Sequence, residues 1–454
     1  MKYDLAVIGA GPAGYLAAQR AAENKLNVVL FEKRNVGGVC LNEGCIPSKA
    51  LLHSAKIYDY AKDSEKYGIT VSQASIDQKV VIKRKNKVVR TLVGGIKSTL
   101  KSLGVTTVEG EAKILGKDPD GLSIAVEDQV YRADRLIICT GSVPVMPPIE
   151  GLAQGYEKGF VLTNREVLDL EEIPKSMVIV GGGVIGLEMA SYYNSVGSEV
   201  TVIEMLDRIG GPIDLEISKL LLQDYEKKGI TFNLKSKVVA FKDSSVVYEK
   251  DGKTQELSAE KVLVSIGRRA DTQGLGLENI GVELNRGAII TDEFGRTNVV
   301  GVYAAGDVNG KSMLAHTAYR EAEVCINNIL GKKDVMRYDA IPAVIYTNPE
   351  VASVGETEES ASAKNLDFES VKLSMRFSGR YVAENEGGNG ICKVLRDKKT
   401  NRLLGVSLIG NYASELICAA ALMIETQMTV EDLKELVFPH PTVCEVIREA
   451  LFAF

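Results

Sequence analysis

Hydrophobic positions open the chain with a run from Tyr3 to Gly9, and that run ends in the cluster Gly9-Ala-Gly11-Pro-Ala-Gly14. An alanine-rich stretch with helical spacing, Tyr15 to Asn24, follows it, and a second apolar run, Val28 to Phe31, closes on Glu32. Short apolar runs bounded by glycine predict buried strands, and the longer stretch between them predicts a helix. The same order returns at Met177 to Val180, Gly181-Gly-Gly183-Val-Ile-Gly186, Leu187 to Ser195 and Val200 to Ile203, which ends on Glu204. In both copies the acid lies 23 positions after the first glycine, so the copies agree in length as well as in pattern. The repeat predicts an α/β fold with two Rossmann-like dinucleotide-binding domains. A first domain is expected over 1–143 and a second over 144–267, followed by a turn-rich central region over 268–336 and a final α+β region over 337–454. Helical patterns near 48–60 and 78–103 are expected as an insertion in the first domain, and Val143-Pro-Val-Met-Pro-Pro148 as the link into the second.

Each conserved-looking position of such a unit has its own task. Gly9 and Gly181 make the tight turn out of the strand, and Gly11 and Gly183 let backbone N–H groups approach a pyrophosphate. Gly14 and Gly186 pack helix on strand, while Glu32 and Glu204 accept from a ribose hydroxyl. One such motif can be a mere turn, but two in full strand–turn–helix–strand context point to two nucleotides. One nucleotide that donates electrons and another that holds them make a relay, which is an oxidoreductase arrangement. Glu204 favours NAD, because a carboxylate repels the 2′-phosphate of NADP. Arg208 stands close by, but it does not replace the acid.

Length and composition then narrow the function classes. A chain of 454 residues is long enough for three or four domains, and 45% hydrophobic with 25% charged residues is a globular composition throughout. A net charge of -6, without Lys/Arg clusters interleaved with aromatics, argues against nucleic acid as a partner. The first apolar stretch, Leu5 to Ala10, is too short for a secretory signal or a membrane span, so a cytoplasmic protein is expected. Seven cysteines spread thinly over the chain do not form a secreted disulfide framework. Five of them, Cys139, Cys325, Cys392, Cys418 and Cys444, read as ordinary buried thiols.

The other two stand in Gly37-Gly-Val-Cys40-Leu-Asn-Glu-Gly-Cys45-Ile-Pro-Ser-Lys49, directly after the first unit and therefore beside its nucleotide. In a regular helix, residues five apart differ by roughly 7.5 Å of rise, too far for the roughly 3.8 Å Cβ spacing of a disulfide. A bridge thus requires broken helix, which Gly44 can provide, and so small a loop makes a poor staple but an easily reduced bond. Two unpaired cysteines in a turn are the alternative reading. Metal ligation fits less well, since there is no second cysteine pair and the histidines are scattered at 53, 316 and 440, so no metal is expected. Lys49 favours a thiolate here and Glu43 opposes one unless it points to water. Dithiol chemistry needs a base, and His440-Pro-Thr-Val-Cys-Glu445 offers a histidine with a carboxylate to orient it, although a histidine before proline is also a common turn residue.

Taken together, these motifs resemble the pyridine nucleotide-disulfide oxidoreductase family over essentially the whole chain, and within it the dihydrolipoamide dehydrogenases. Ile137-Ile-Cys-Thr140-Gly141-Ser142 resembles the strand that returns at the flavin domain, and Thr297 with Val302-Tyr-Ala-Ala-Gly-Asp307-Val308 resembles the second FAD motif. Leu314-Ala-His316, Ile341 to Val351 and the final His-Pro-Thr segment resemble later family landmarks. The resemblance implies FAD and NAD as cofactors, with Thr140, Gly141, Gly267 and Asp307 added to the cofactor contacts. It implies that Cys40 exchanges with the substrate disulfide, that Cys45 faces the flavin, and that Lys49 sits by the isoalloxazine as a cofactor contact and pairs with Glu188. It also implies that His440, oriented by Glu445, serves Cys40 from the other subunit, which makes the protein a homodimer with a C-terminal dimerisation domain. The implied substrate is dihydrolipoamide carried by a lipoyl-bearing protein of a 2-oxo-acid dehydrogenase, acetoin or glycine cleavage complex. Phe438 departs from the family, where a histidine often stands two positions before the catalytic one. Glutathione- and mercuric-reductase-like activities are the nearest rivals, and a non-catalytic flavin redox sensor is a more distant one. Ser48 before Lys49, the acid at 204 and a tail, Leu451-Phe-Ala-Phe454, without extra cysteines set the chain apart from those reductases.

Overall fold

The computed structural model describes residues 2–454. Its first sheet is built on the opening motif: β1 (Lys2–Ile8) and β2 (Val28–Glu32) run parallel, with α1 (Pro12–Glu23) crossing between them. Leu5, Ala6, Val7 and the interior alanines of α1 are fully buried, because a strand covered on both faces has no polar side. Gly9 has φ +96°, and a Cβ at Gly14 would lie 1.7 Å from the Gly9 carbonyl oxygen, so the turn and the close helix both demand glycine. After β2 come α2 (Gly38–Glu43), α3 (Cys45–Lys62) and α4 (Gln78–Ser102), the expected helical insertion. The sheet is completed by β3 (Thr106–Glu109), β4 (Ala112–Asp118), β5 (Gly121–Val126) and β6 (Gln129–Ile138), in the order β3-β2-β1-β6-β5-β4.

The second nucleotide unit is an excursion from the first. The chain leaves through β7 (Ser142–Pro144), forms α5 (Leu152–Glu157) and β8 (Val161–Leu162), and then repeats the opening plan with β9 (Ser176–Val180), α6 (Val184–Ser195) and β10 (Glu199–Ile203). α7 (Leu215–Lys227) leads to β11 (Thr231–Asn233), and an antiparallel meander, β12 (Ser236–Phe241), β13 (Ser245–Lys250) and β14 (Lys253–Ser258), precedes β15 (Lys261–Val264). The parallel sheet runs β11-β10-β9-β15-β8. The chain returns through β16 (Arg268–Ala270), which pairs antiparallel with β7, so exit and entry share one two-stranded ribbon. After a small hairpin, β17 (Leu284–Asn285) with β18 (Ala288–Ile289), strand β19 (Val302–Ala304) rejoins the first sheet beside β6, and α8 (Ala315–Ile329) packs on α1.

The last region is an antiparallel sheet in the order β20-β21-β24-β23-β22: β20 (Ala343–Ile345), β21 (Val351–Gly355), β22 (Phe368–Ser374), β23 (Ile391–Asp397) and β24 (Leu403–Ile409). Short helices α9 (Glu358–Ala363), α10 (Gly379–Glu384) and α12 (Val430–Lys434) connect it, while α11 (Ala413–Glu425) and α13 (Glu445–Phe452) cover it. Cys139, Cys325 and Cys392 are buried as expected, but Cys418 is exposed and Cys444 only half-buried. α11 seats Ala413, Ile417, Ala420 and Met423 on the sheet and turns Cys418 and Leu422 outward, so an almost wholly apolar helix buries one face only. Among the described residues no helix is long and apolar enough to cross a membrane.

Candidate redox site

Cys40 and Cys45 stand on different helices. Gly44, at φ −152° and ψ −109°, ends α2 and starts α3, and this break brings the two thiols into hydrogen-bond contact. Both cysteines are free. Cys45 is drawn down to about 7, chiefly because Cys40 donates a hydrogen bond to it; burial opposes this, and the Lys49 charge assists it. Cys40 is pushed up by holding that proton and by burial. The pair is therefore polarised, with the negative charge favoured at Cys45 and the proton at Cys40.

Lys49, one turn into α3, places its Nζ 2.9 Å from each carboxylate oxygen of Glu188 on α6. The Glu188 carboxylate also accepts from the Tyr346 backbone N–H at 3.1 Å, and the Tyr346 ring lies 4.1 Å from Lys49 Nζ. Glu43, which could have opposed a thiolate, is instead paired with Arg165 at 2.8 Å and Arg34 at 3.3 Å, so its charge is neutralised locally. Among the described residues, no cluster of three or more His, Cys, Asp or Glu is placed to hold a metal.

The two nucleotide turns match in detail. Glu32 accepts from the Ala10 N–H at 2.7 Å and the Arg34 N–H at 2.8 Å, and Glu204 accepts from the Gly182 N–H at 2.6 Å and the Leu206 N–H at 2.7 Å. Each acid is thus tied to the residue after the first glycine of its own turn. A Cβ at Gly186 would lie 2.2 Å from the Gly181 carbonyl oxygen, repeating the Gly14 approach, whereas at Gly183 it meets nothing within 4 Å. The backbone at that second glycine is open to a pyrophosphate, and Gly11 is nearly as open, its nearest neighbour being the Gly38 Cα at 3.9 Å.

Further along the first turn, the Thr140 hydroxyl donates to the Asp271 carbonyl at 2.6 Å, and Gly141, at φ +72°, accepts from the Asp271 N–H at 3.0 Å. Ser142 donates to Asp307 and itself accepts from Arg268 Nε at 2.8 Å. Gly267, at φ +120°, accepts from the Val145 N–H at 3.0 Å where the ribbon returns. A cavity of about 440 Å³ lined by Arg268, Arg269, Asn309, Lys311 and Met313 adjoins this loop, and its cationic walls suit a phosphate-bearing group. The open glycine turns, the ribose-side acids and this lining fit a dinucleotide at each unit.

Four contributors to the site carry no local sequence signal. Arg268, Tyr346 and Arg165 reach the site from distant segments. Glu321 is buried and accepts from the Gly306 N–H and the Tyr338 hydroxyl, both at 2.6 Å, so it fixes the loop that presents Asp307.

His440 and Glu445 meet as expected: His440 Nδ1 lies 2.9 Å from Glu445 Oε1, and the second carboxylate oxygen accepts from the Thr442 N–H at 2.9 Å. These bonds hold the Glu445 carboxyl below its ordinary range. The His440 side chain is 78% exposed, and its Nε2 bonds to none of the described residues. Within the one chain the histidine is oriented and accessible, but it is not brought into contact with the cysteines.

The model of the pyridine nucleotide-disulphide oxidoreductase family matches residues 3–322, and that of the pyridine nucleotide-disulphide oxidoreductase dimerisation domain matches residues 341–451. The chain is 38% identical over 461 residues to dihydrolipoyl dehydrogenase of Mycoplasma genitalium, covering 100% of both proteins. It is 39% identical over 463 residues to the mitochondrial dihydrolipoyl dehydrogenase of Pisum sativum, covering 99% of this chain and 91% of that protein. Among solved structures, LpdA from Mycobacterium tuberculosis superposes with a TM-score of 0.89 at 26% identity, covering 99% of both chains. The HOCl-induced flavoprotein disulfide reductase RclA from Escherichia coli gives 0.87 at 26% identity over 99% of both. With two matched nucleotide turns, a polarised cysteine pair and these likenesses along its full length, the chain belongs to the pyridine nucleotide-disulphide oxidoreductase family and carries that family's dimerisation domain.

Proposed function

We propose that the protein is a homodimeric dihydrolipoyl dehydrogenase that oxidises protein-bound dihydrolipoamide and delivers the electrons to NAD. The observation that carries this reading is the Cys40–Cys45 pair, brought together at the break between α2 and α3 beside the Lys49–Glu188 pair. FAD, held by Gly9, Gly11, Gly14, Glu32, Thr140, Gly141 and Asp307, and NAD, held by Gly181, Gly183, Gly186, Glu204 and Gly267, supply the electron and hydride transfers when bound. The chain's own residues do the sulfur and proton chemistry. His440 Nε2, with Nδ1 fixed by Glu445, accepts the proton of a substrate thiol. The resulting substrate thiolate attacks Cys40 Sγ of the oxidised pair, the Cys40–Cys45 bond breaks, and Cys45 departs as a thiolate stabilised by Lys49. The second substrate thiol then attacks the sulfur bound to Cys40; the substrate's internal disulfide forms, Cys40 leaves and takes the proton held by His440, and His440 in turn accepts the proton of the second thiol.

An exposed His440, tethered to its own Glu445, supports a site in which the histidine serves the cysteines of a second copy, so that one site takes residues from two subunits. The substrate arrives on a lipoyl-bearing partner of a 2-oxo-acid dehydrogenase, acetoin or glycine cleavage complex. The cytoplasm suits the buried free thiols Cys139, Cys325 and Cys392, since thiol pools there keep such groups reduced. Following NADH formation from NAD and dihydrolipoamide tests the proposal, with wild type beside Cys40→Ser and His440→Gln. Wild-type turnover that vanishes with Cys40→Ser and falls by roughly 10²–10⁴ with His440→Gln is expected. Turnover that survives Cys40→Ser, or a flavin-loaded wild type inert toward dihydrolipoamide, would overturn it.

A further inference from the structure

The helix α4 (Gln78–Ser102) carries a one-sided charge. Its 25 residues contain eight cationic side chains and no acid, on a chain whose net charge is -6. Seven of the eight are exposed, and six of these, Lys79, Lys83, Lys87, Arg90, Lys97 and Lys101, share one face. At about 100° per residue these six fall within one sector of about 80°, and at about 1.5 Å per residue they span about 33 Å. The opposite face packs inward through Val81, Ile82 and Leu100, with Val93 and Ile96 partly buried. The stripe is therefore continuous, straight and single-signed.

A helix face that serves only for solubility mixes signs, because opposite charges three or four positions apart attract and like charges repel. Here Lys79, Lys83 and Lys87 follow one another at four-residue steps, Arg90 stands three beyond, and Lys97 and Lys101 repeat the step. Only Lys97 among the six has an ion-pair partner among the described residues, Glu109 at 3.7 Å. The remaining five face solvent as like charges at helical spacing. The position is equally specific. α4 packs against both cysteine-bearing helices, and Arg84, next to the stripe's Lys83, donates to the Ala50 carbonyl five residues after Cys45.

We infer that the basic stripe of α4 is the landing surface for the acidic face of the protein domain that carries the dihydrolipoyl group, guiding it to Cys40. The inference rests on the proposed dehydrogenase reading and adds its recognition surface. Steering by such a stripe raises the association rate and weakens as salt is added. A free small substrate, lacking the acidic face, gains nothing from it.

The test compares two substrates on the FAD-loaded enzyme: free dihydrolipoamide, and a purified lipoylated domain of acidic net charge with its lipoyl group reduced. The triple variant Lys83→Glu/Lys87→Glu/Arg90→Glu is measured beside the milder Lys83→Gln/Lys87→Gln/Arg90→Gln. Expected is a fall of tenfold or more in kcat/KM for the lipoylated domain in the Glu variant and a smaller fall in the Gln variant. The salt dependence of that substrate should flatten, while free dihydrolipoamide stays within twofold of wild type. Equal losses with both substrates, or an unchanged kcat/KM for the domain, overturn the inference. A changed oligomeric state in the variants would assign the stripe to contact between copies and overturn it as well. Wild type inert toward free dihydrolipoamide is a separate outcome: it sinks the dehydrogenase reading itself.

Discussion

Lys49 Nζ sits 2.9 Å from both carboxylate oxygens of Glu188, tying the helix that begins with Cys45 to the first helix of the second nucleotide unit. The pair does two jobs: it locks the two units together, and it keeps a positive charge beside the Cys45 sulfur. Because Glu188 is nearly buried and Lys49 about one-third exposed, Lys49→Met leaves an unpaired carboxylate inside. It should lower stability by roughly 1–3 kcal/mol, somewhat less than for a fully buried pair.

The same residue governs one of the influences on the Cys45 thiolate. The hydrogen bond from Cys40 is the larger influence and the Lys49 charge the lesser. Cys40→Ala should therefore return Cys45 from about 7 most of the way toward 9.0, and Lys49→Met should move it in the same direction by less. Since the thiolate exists above its pKa, thiolate absorbance in the ultraviolet should be lost on acidification at a higher pH in both variants. An unmoved titration, or the reverse ranking, would contradict the assignment.

Glycine substitutions should separate folding from binding. Gly14→Ala drives a methyl group to within 1.7 Å of the Gly9 oxygen, and should yield little soluble flavin-loaded protein. Gly183→Ala meets nothing within 4 Å at an ordinary φ of −80°, so melting temperature should hold while KM for NAD rises by roughly tenfold. Thermal melts paired with NAD titrations check both.

Glu204 should set the choice of nucleotide. Replacing it by alanine removes a charged acceptor worth about 1.5–3 kcal/mol, so kcat/KM for NAD should fall by at least about tenfold. The ratio of NAD to NADP use should fall further, since the repulsion against a 2′-phosphate goes too. Unchanged discrimination in Glu204→Ala would place selectivity elsewhere.

A pH effect follows at the exit from α8. Arg320 holds Asp334 through two bonds of 2.8 and 2.5 Å, and this brings the Asp334 carboxyl down from 3.8 to about 2. A depressed carboxyl stabilises the folded state above its unfolded pKa, and that contribution disappears as pH falls through the folded one. Arg320 is substantially exposed, so the contribution is about 0.5–1 kcal/mol. Arg320→Gln should therefore melt below wild type above pH 4, and the two curves should converge toward pH 2. A gap that persists to the lowest pH would show a different cause.

The sequence was most legible where the requirement is local. The two glycine turns, the acids that end β2 and β10, and the break at Gly44 follow from the steric needs of a few adjacent residues, so their positions could be read directly. The helices start earlier than their apolar patterns suggested, at Pro12 and Val184 rather than Tyr15 and Leu187, because the third glycine of each turn lies inside the first helical turn. Tyr346, Arg165 and Glu321 were invisible because each acts on residues 15 or more positions away, and nothing in its own neighbourhood marks that contact. Cys418 was misread for a different reason: its neighbours are apolar on every side, and apolar composition alone does not tell which face of a helix meets its own core. The Glu43 charge looked hostile to a thiolate until Arg34 and Arg165 were found around it.

The central claim is that one site is assembled from Cys40 and Cys45 of one subunit and His440 of another, and hybrid dimers test it most directly. Cys40→Ser and His440→Gln subunits, each inactive as a homodimer, are co-expressed with different tags, purified as the mixed dimer and assayed for NADH formation with dihydrolipoamide. The account predicts about half the wild-type turnover, since one of the two shared sites then holds both intact cysteines and an intact histidine. A hybrid as inactive as its parents would contradict it, because it would mean that cysteines and histidine of the same chain work together.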